Sequence, residues 1–277
     1  MKRIQLFEFE DFDWLPNVIR SGITSLIKVL HRMMGTSQVL AKIISETRDK
    51  FDFNQITDLG SGSGGPMIKT LTLLNESLPQ NQKLQLLLTD KYPNQDVVER
   101  INNCTHSNIR YESESVDASL LGESPIGLKT MIASFHHMNP MDAKSILHSA
   151  EQSNQPILIY EIAKNNVPTL LWCLLLPLSL VILIIMSMLM TVVVRPIKLS
   201  QLLFTYLIPI IPIIYAWDGQ ASLMRTYTFE DIISMLPNSS NDNYTWEIKD
   251  SYKLNGKKAG YYILGHPKKV CVSIESI

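Results

Sequence analysis

Cysteine is scarce in this chain, and the cysteines present share no spacing. The 277 residues include three, at Cys104, Cys173 and Cys271. They are too few for a disulfide framework and lack the close pairing of zinc or redox sites. We therefore expect reduced cysteines in packed positions, no bound metal and a cytosol-facing protein.

An excess of charge of either sign is also missing. Twenty-five basic and 26 acidic residues give a net charge of −1, and no long basic run is present. A nucleic-acid-binding surface needs clustered positive charge to meet the phosphates. Nucleic acid is therefore not an expected partner.

The first 50 residues carry a helical pattern. Between Trp14 and Arg48, apolar residues recur mostly at three- and four-residue spacings with basic residues between them, which predicts two helices broken near Gly35. This helical cap, residues 1–50, either packs on a following sheet or lays its amphipathic face on a lipid surface.

A glycine-rich turn follows, in the stretch QITDLGSGSGGPMIKTL. A short strand at about Gln55–Asp58 and a helix from about Pro66 enclose it. Its glycines fit two templates: G-x-G-x-x-G at Gly60, Gly62 and Gly65, and D-x-G-x-G-x-G at Asp58, Gly60, Gly62 and Gly64. Both need glycine because only a residue without a side chain lets the backbone turn sharply and approach a ligand. The glycines alone do not choose between cofactors.

Four further strand-like runs follow, each ending in polar residues. The second predicted strand, LQLLLTD, ends at Asp90, 25 residues after Gly65, where a carboxylate can accept both hydroxyls of a ribose. The other three predicted strands end at Asp117 and Ala118, at His136 and His137, and at Glu161. Five strands alternating with helix-compatible stretches predict an α/β fold with a doubly wound, mostly parallel sheet, whose ligands sit at the carboxyl ends of the strands.

These residues resemble a known family. ITDLGSGSGG, Asp90, SVDAS and IASFHHM, in that order and spacing, are similar to the class I S-adenosylmethionine-dependent methyltransferases. The resemblance covers about Phe51 to Glu161. It resumes near the C-terminus, where YTWEIKDSYKL and GYYILGHP, separated by Asn255 and Gly256, resemble the terminal antiparallel hairpin of that seven-stranded fold. WDGQASLMRTYTFEDI resembles a subset of bacterial members.

The resemblance implies S-adenosylmethionine as cofactor and gives roles to the matching residues. Asp58 and the turn of Gly60, Gly62 and Gly64 would hold its amino-acid end. Asp90 would hold the ribose. Asp117 would accept from the adenine amino group, and the Ala118 N–H would donate to a ring nitrogen. Carboxylates suit this cofactor because it is a sulfonium cation without a pyrophosphate.

A long apolar run interrupts the resemblance. Val167 to Val194 is 28 residues without a charge, long enough as a helix to cross the roughly 30 Å hydrocarbon layer. A second uncharged run, Gln201–Trp217, contains two prolines. Because strands on both sides of these runs would share one sheet, an even number of crossings is required. A two-pass hairpin, a re-entrant or monotopic insertion, and a buried helical pair in a soluble protein all remain open, although Arg195 and Lys198 in the turn oppose a two-pass hairpin.

The predicted organisation has four parts. Residues 1–50 form the helical cap, 51–164 the cofactor-binding core, 165–217 an apolar membrane insert, and 218–277 the rest of the core with its hairpin. The predicted protein is a membrane-associated methyltransferase with its catalytic core in the cytoplasm and a small, lipophilic acceptor delivered by the bilayer.

Catalysis by in-line methyl transfer needs mainly positioning, and a base only where the acceptor starts protonated. His136 and His137 are equal candidates for that base, and since neighbours on an extended chain point to opposite faces, we expect one of them to face the acceptor. Asp218 and Arg225 are candidates to orient the acceptor. Two rival classes remain: a membrane-associated NAD(P)-dependent oxidoreductase and a non-catalytic scaffold with the same fold.

Overall fold

A computed structural model of the chain describes residues 2–104, 108–237 and 243–268. The chain divides into two compact units, each made of two segments. We call Met1–Thr36 with Ala163–Ile232 the insert unit, and Ser37–Ile162 with Ile233–Ile277 the sheet unit. The predicted four-part division stays a prediction.

The sheet unit is built on one seven-stranded sheet in the order β3-β2-β1-β4-β5-β7-β6. The first five strands are parallel, whereas β7 runs antiparallel to both β5 and β6. The strands are β1 Gln55–Leu59, β2 Gln85–Thr89, β3 Ile109–Tyr111, β4 Leu128–Ile132, β5 Ile157–Glu161, β6 Tyr244–Tyr252 and β7 Lys258–Pro267. The predicted mostly parallel sheet and terminal hairpin are confirmed.

Helices accompany the parallel strands as the alternating pattern predicts. They are α2 Thr36–Lys50, α3 Met67–Glu76, α4 Gln95–Asn102 and α5 Pro140–Gln152. Asn94 and Asn139 begin α4 and α5 by accepting hydrogen bonds from backbone N–H groups of the first turn, as N-cap residues do. One apolar cluster joins α2, α3 and α4 to the sheet, and all five residues of β5 are buried. A strand covered on both faces is typical of a parallel sheet between helix layers.

The insert unit is helical. Its helices are α1 Asn17–Met34, α6 Thr169–Thr191, α7 Leu199–Leu202 and α8 Ile210–Arg225, with a π-helical turn at Leu203–Leu207; α9, Phe229–Met235, follows them. Gly35 ends α1 in the left-handed conformation, at φ 68°, the usual helix stop for glycine. This confirms the predicted break.

The helices of the insert unit share an apolar cluster. Ile19, Ile23 and Leu26 of α1 meet Met190 from α6 and Ile211 from α8. Gly22 makes the closest approach, since a Cβ there would lie 2.4 Å from Cδ1 of Ile211. The apolar face of the amphipathic helix α1 therefore packs against the apolar insert.

The outer surface of α6 is apolar and exposed. In its most apolar 18-residue window only 11% of the residues are buried. Length and composition qualify α6 as a candidate membrane span. Leu199–Leu207 and Ile210–Arg225 qualify only as a pair, with a bend of 79° between them, as in a broken span or a re-entrant loop. Cys173 on α6 is exposed, as is Cys104. The prediction of packed cysteines is wrong for these two, and Cys271 lies outside the described residues.

Candidate active site

The glycine turn leaves the carboxyl end of β1 in the centre of the sheet. Ser61 N–H donates to the Thr89 carbonyl (2.9 Å), which ties the turn to the end of β2. Gly62 and Gly65 have φ of +53° and +43°, and a Cβ at either would meet no atom within 4 Å. The backbone conformation favours glycine, and the open space lets a ligand approach the main chain there.

Asp58, in β1, is hydrogen-bonded to the glycine turn and to β4. Its carboxylate is buried and accepts the hydroxyl hydrogens of Thr130 (2.6 Å) and Ser61 (2.7 Å). Burial raises its pKa to about 7, against the opposing effect of those two hydrogen bonds. The structure therefore gives Asp58 contacts inside the protein, between β1, β4 and the turn, while the predicted contact with the amino-acid end of a cofactor stays a prediction.

Asp90 follows β2 and lies against the same turn. Its Oδ2 accepts from the Gly62 N–H (2.9 Å), and its Oδ1 accepts from the Tyr92 N–H (2.9 Å). Tyr111, at the end of β3, donates its hydroxyl to the Gly62 carbonyl (2.8 Å). The ends of three neighbouring strands thus fix one carboxylate beside the open glycines, and each oxygen of that carboxylate retains capacity for a further donor.

Asp117 and Ala118 do not lie at the end of a strand. The strand-like run was predicted to continue to these residues, but β3 stops at Tyr111 and the two lie in a later turn. That strand prediction is wrong because the polar segment after Tyr111 provides no apolar face to bury. Asp117 is exposed, and its Oδ1 accepts from the backbone N–H (2.8 Å) and hydroxyl (2.7 Å) of Ser119. These two hydrogen bonds lower its pKa.

The structure distinguishes the two histidines. His136 is buried and makes two contacts with Glu161 at the end of β5. The Glu161 carboxylate accepts from the His136 backbone N–H (3.0 Å) and contacts its Nδ1 (2.9 Å). His137 is only partly buried. A carboxylate that accepts from Nδ1–H fixes the imidazole tautomer and its orientation, as in a catalytic dyad.

The expectation that these neighbours point to opposite faces is wrong. They lie on a 3₁₀ turn, Phe135–His137, after the end of β4, and their ring centroids are 4.4 Å apart. A turn does not alternate its side chains as an extended strand does. Both rings therefore occupy one region of the sheet unit.

Asp218 and Arg225 belong to the insert unit. Asp218 on α8 is buried and accepts from the backbone N–H groups of Phe9 (2.8 Å) and Glu10 (3.3 Å). Burial raises its pKa to about 7. Arg225, also buried, pairs with Asp11 and Glu8. These contacts fasten the N-terminal segment to α8, and the predicted roles in orienting an acceptor stay predictions.

Sequence reasoning missed three residues that shape the site. Thr130 and Ser61 bind Asp58, and Glu161 holds His136. The position of Glu161 at the end of a predicted strand was a signal. Its partner was not readable, because the pairing requires β4 and β5 to be neighbours and His136 to lie on a turn.

Comparisons with known proteins bear on this fold. No protein-family model matches the chain, and no curated protein matches it by sequence. Among solved structures, the plantazolicin methyltransferase BpumL in complex with SAH has a TM-score of 0.50 at 10% identity, over 90% of this chain and 97% of that chain. Its complex with a monoazolic desmethylPZN analog and SAH has a TM-score of 0.50 at 11% identity, over the same shares.

A SAM dependent methyltransferase from Aquifex aeolicus has a lower TM-score, 0.42 at 10% identity, over 81% of this chain and 88% of that chain. Together with the strand order, the likeness at a TM-score of 0.50 establishes the fold. The chain has the α/β fold of class I methyltransferases, a seven-stranded, mostly parallel sheet with N-terminal helices.

Proposed function

We propose that this chain is an S-adenosylmethionine-dependent methyltransferase that works at a membrane on a small, lipophilic acceptor. The observation that carries the proposal is the Asp90 carboxylate held beside the two open glycines at the carboxyl edge of the sheet. Ligands of open α/β sheets bind in this crevice. The solved neighbours with this fold are methyltransferases with bound SAH, which supports the cofactor class.

The residues present fit such a cofactor. The bare backbone at Gly62 and Gly65 can take the amino-acid end, and the fixed Asp90 carboxylate can accept from the ribose hydroxyls. Asp117 and the Ala118 N–H are proposed for the adenine. When bound, the cofactor supplies an electrophilic methyl group. Asp58 would not contact the ligand directly but would fix the conformation of the glycine turn that does.

His136 is the better candidate for a base than His137. If Glu161 accepts from Nδ1–H, a neutral His136 carries its basic lone pair on Nε2, and this nitrogen can take a proton from an oxygen or nitrogen acceptor. Burial and two contacts to Glu161 hold the ring in one orientation. The Glu161 charge also stabilises the imidazolium that forms.

The exposed apolar surface of α6 supports association with a membrane and delivery of a lipophilic acceptor from it. Large exposed apolar patches mark membrane or protein contacts because they are unfavourable in water. We place the catalytic core on the cytoplasmic side, because the three cysteines of the sequence are too few and too scattered for a disulfide framework.

Equilibrium binding of S-adenosylmethionine and of NADH to the purified full chain tests the cofactor. We expect S-adenosylmethionine to bind and NADH not to bind. Replacing Asp90 by Ala should weaken binding roughly 100-fold or more, because two hydrogen bonds to a charged acceptor are lost at about 1.5–3 kcal/mol each. Asp96→Ala, an exposed acid in the first turn of α4, is the matched control and should bind normally.

Methyl transfer itself is followed with radiolabelled cofactor on membranes with and without the protein. Label in the organic-extractable fraction is the expected result. Tight binding of NADH, or full affinity in Asp90→Ala, would contradict the proposed enzyme class. Cofactor binding without transfer to any membrane extract would instead point to a scaffold.

A further inference from the structure

The exposed apolar side chains of the described residues are concentrated in one part of the chain. Most of the large ones lie between Leu170 and Ile213, on α6, the following turn, the helical pieces before α8 and the first turn of α8. Leu170, Leu174 and Leu178 are 85%, 75% and 60% exposed on successive turns of α6. We call this set of exposed side chains from Leu170 to Ile213 the apolar surface.

We propose that the apolar surface docks in the plane of one leaflet of an anionic bilayer, and that no part of the chain crosses the membrane. The proposal rests on the proposed membrane association and deepens it. It decides between the two membrane arrangements that the sequence leaves open.

The sheet requires the chain to return to the side from which it left. Strand β5 precedes α6, strand β7 follows the insert, and the two pair directly, Ile157 with Gly265 through Glu161 with Tyr261. Crossings must therefore come in pairs. We call residues 199–225, which lead back from the turn after α6, the return segment. If the return segment does not cross the membrane, α6 does not cross it either, whatever the length of α6.

Two features of the return segment argue against a second crossing. Its two helical pieces meet at 79°, so their lengths do not add along one direction. In α8 only Ile210–Trp217 is uncharged before the buried Asp218, which is about 12 Å of helix against roughly 30 Å of hydrocarbon. Of the two forms that a bent pair can take, a broken span or a re-entrant loop, this geometry favours the one that turns back within one leaflet.

Helix α1 gives an independent reason. It lies along the insert, with Arg32 donating from Nη2 to the Val193 carbonyl just beyond α6 (3.1 Å) and with Gly22 packed against Ile211. Lys28 and Arg32 of this helix are exposed. A bilayer that enclosed α6 and α8 on all sides would also enclose these charges, which is strongly unfavourable. An in-plane arrangement leaves them in water or among headgroups.

The charged residues beside the apolar surface are basic, which favours binding to anionic lipids. Residues 162–217 contain three basic residues and no acidic one. Arg195 and Lys198 are exposed in the turn after α6, next to the exposed Ile197 and Leu199. Basic residues flanking an apolar surface attract anionic headgroups. This charge pattern commits the proposal to an anionic bilayer as the occupant of the surface.

The topology is tested by thiol labelling of the full chain in sealed, inside-out membrane vesicles from an expression host. The three native cysteines are replaced by Ser, and a single cysteine is placed at Lys198, an exposed basic position of the turn that the in-plane arrangement leaves at the headgroups. An impermeant maleimide added outside should label it as fully as a reference cysteine at Lys257, an exposed residue of the β6–β7 hairpin. Labelling at position 198 only after detergent is added would place the turn across the bilayer and overturn the proposal.

The docking surface is tested by flotation of purified protein with phosphatidylcholine vesicles, with and without phosphatidylglycerol. We expect binding to the anionic vesicles, and at least about a tenfold loss when Leu170, Leu174 and Leu178 are all replaced by Gln. Leu254→Gln, a matched control 84% exposed in the sheet unit, should bind as before. No flotation, combined with a stable dimer that the triple variant dissociates, would show that a second copy covers the surface and would overturn the proposal.

These readouts do not depend on methyl transfer. A triple variant that still binds S-adenosylmethionine has kept its fold, so its loss of flotation reports on docking alone. Conversely, a chain that floats but binds no S-adenosylmethionine would leave the docking proposal standing and would contradict the proposed function.

Discussion

The two units of this chain distribute polar and apolar residues in opposite ways. The sheet unit buries its aliphatic residues between helices and strands, and gathers its polar side chains at the carboxyl ends of the strands. The insert unit exposes leucine and isoleucine along α6 and buries an ion pair and several amides and hydroxyls on α6 to α8. Water favours only the first distribution, and the second is the basis of the proposed attachment to a bilayer.

The largest effect is expected when the polar interior of the insert unit is broken. Arg225→Ala removes the buried cation that lies 3.3 Å from Glu8 and 2.5 Å from Asp11. Because Glu8 is buried as well, its charge is left without this partner, and we expect the free energy of unfolding to fall by about 3–5 kcal/mol. Urea unfolding followed by tryptophan fluorescence measures it.

The control for that experiment is Arg195→Ala, which removes an exposed arginine of the same unit. It should change stability by no more than about 0.5 kcal/mol. Equal stability of Arg225→Ala and the native chain would mean that the buried ion pair does not hold the insert unit together. The contrast between the two units would then rest on the exposed apolar surface alone.

The second prediction concerns the buried acid of the sheet unit. Burial raises the pKa of Asp58 to about 7, whereas the unfolded chain has the ordinary value near 4. A raised folded-state pKa means that the stability contribution is complete below about pH 4 and is lost as pH rises to about 7. Asp58→Asn removes this titration while keeping polar partners for Thr130 and Ser61.

We therefore expect the stability of Asp58→Asn relative to the native chain to increase by about 2–3 kcal/mol from pH 5 to pH 8, because two pH units of titration are removed. Unfolding is measured without added cofactor at both pH values. Asp218, whose pKa burial also raises to about 7, titrates in both proteins and cancels in the difference. Asp96→Asn is an exposed control. An unchanged difference between pH 5 and pH 8 would show that Asp58 is ionised throughout this range.

Much of the sheet unit was predictable because its signals are local. Alternating strands and helices, the glycine turn and the C-terminal hairpin each depend on neighbouring residues, and the structure has all of them. The contact of Asp90 with the Gly62 N–H follows from strand ends that meet at one edge. The His136–Glu161 pair could not be predicted, because it depends on a 3₁₀ turn that interrupts the extended chain.

The arrangement of the insert could not be predicted from composition. A membrane span and an in-plane helix can have the same apolar content, and α6 is long enough for either. The proposed in-plane arrangement rests on the 79° bend before α8 and on the position of α1 along the insert. Both are tertiary features, since proline at 209 permits a bend without fixing its angle.

The smallest predicted effect lies on the rim of the apolar surface. Lys198→Ala removes one exposed positive charge from the turn after α6, and a basic residue near an anionic membrane contributes about 1 kcal/mol. Binding to vesicles containing phosphatidylglycerol should weaken about fivefold, with no change on purely zwitterionic vesicles. Lys257→Ala, in the sheet unit, removes the same charge from an exposed position and should have no effect.

High salt should abolish the difference in vesicle binding between the two lysine variants, because it screens exposed charges. An equal loss of vesicle binding in both lysine variants would mean that the net charge of the protein, and not the position of the charge beside α6, governs attachment. The surfaces of the two units would then not differ in how they bind lipid.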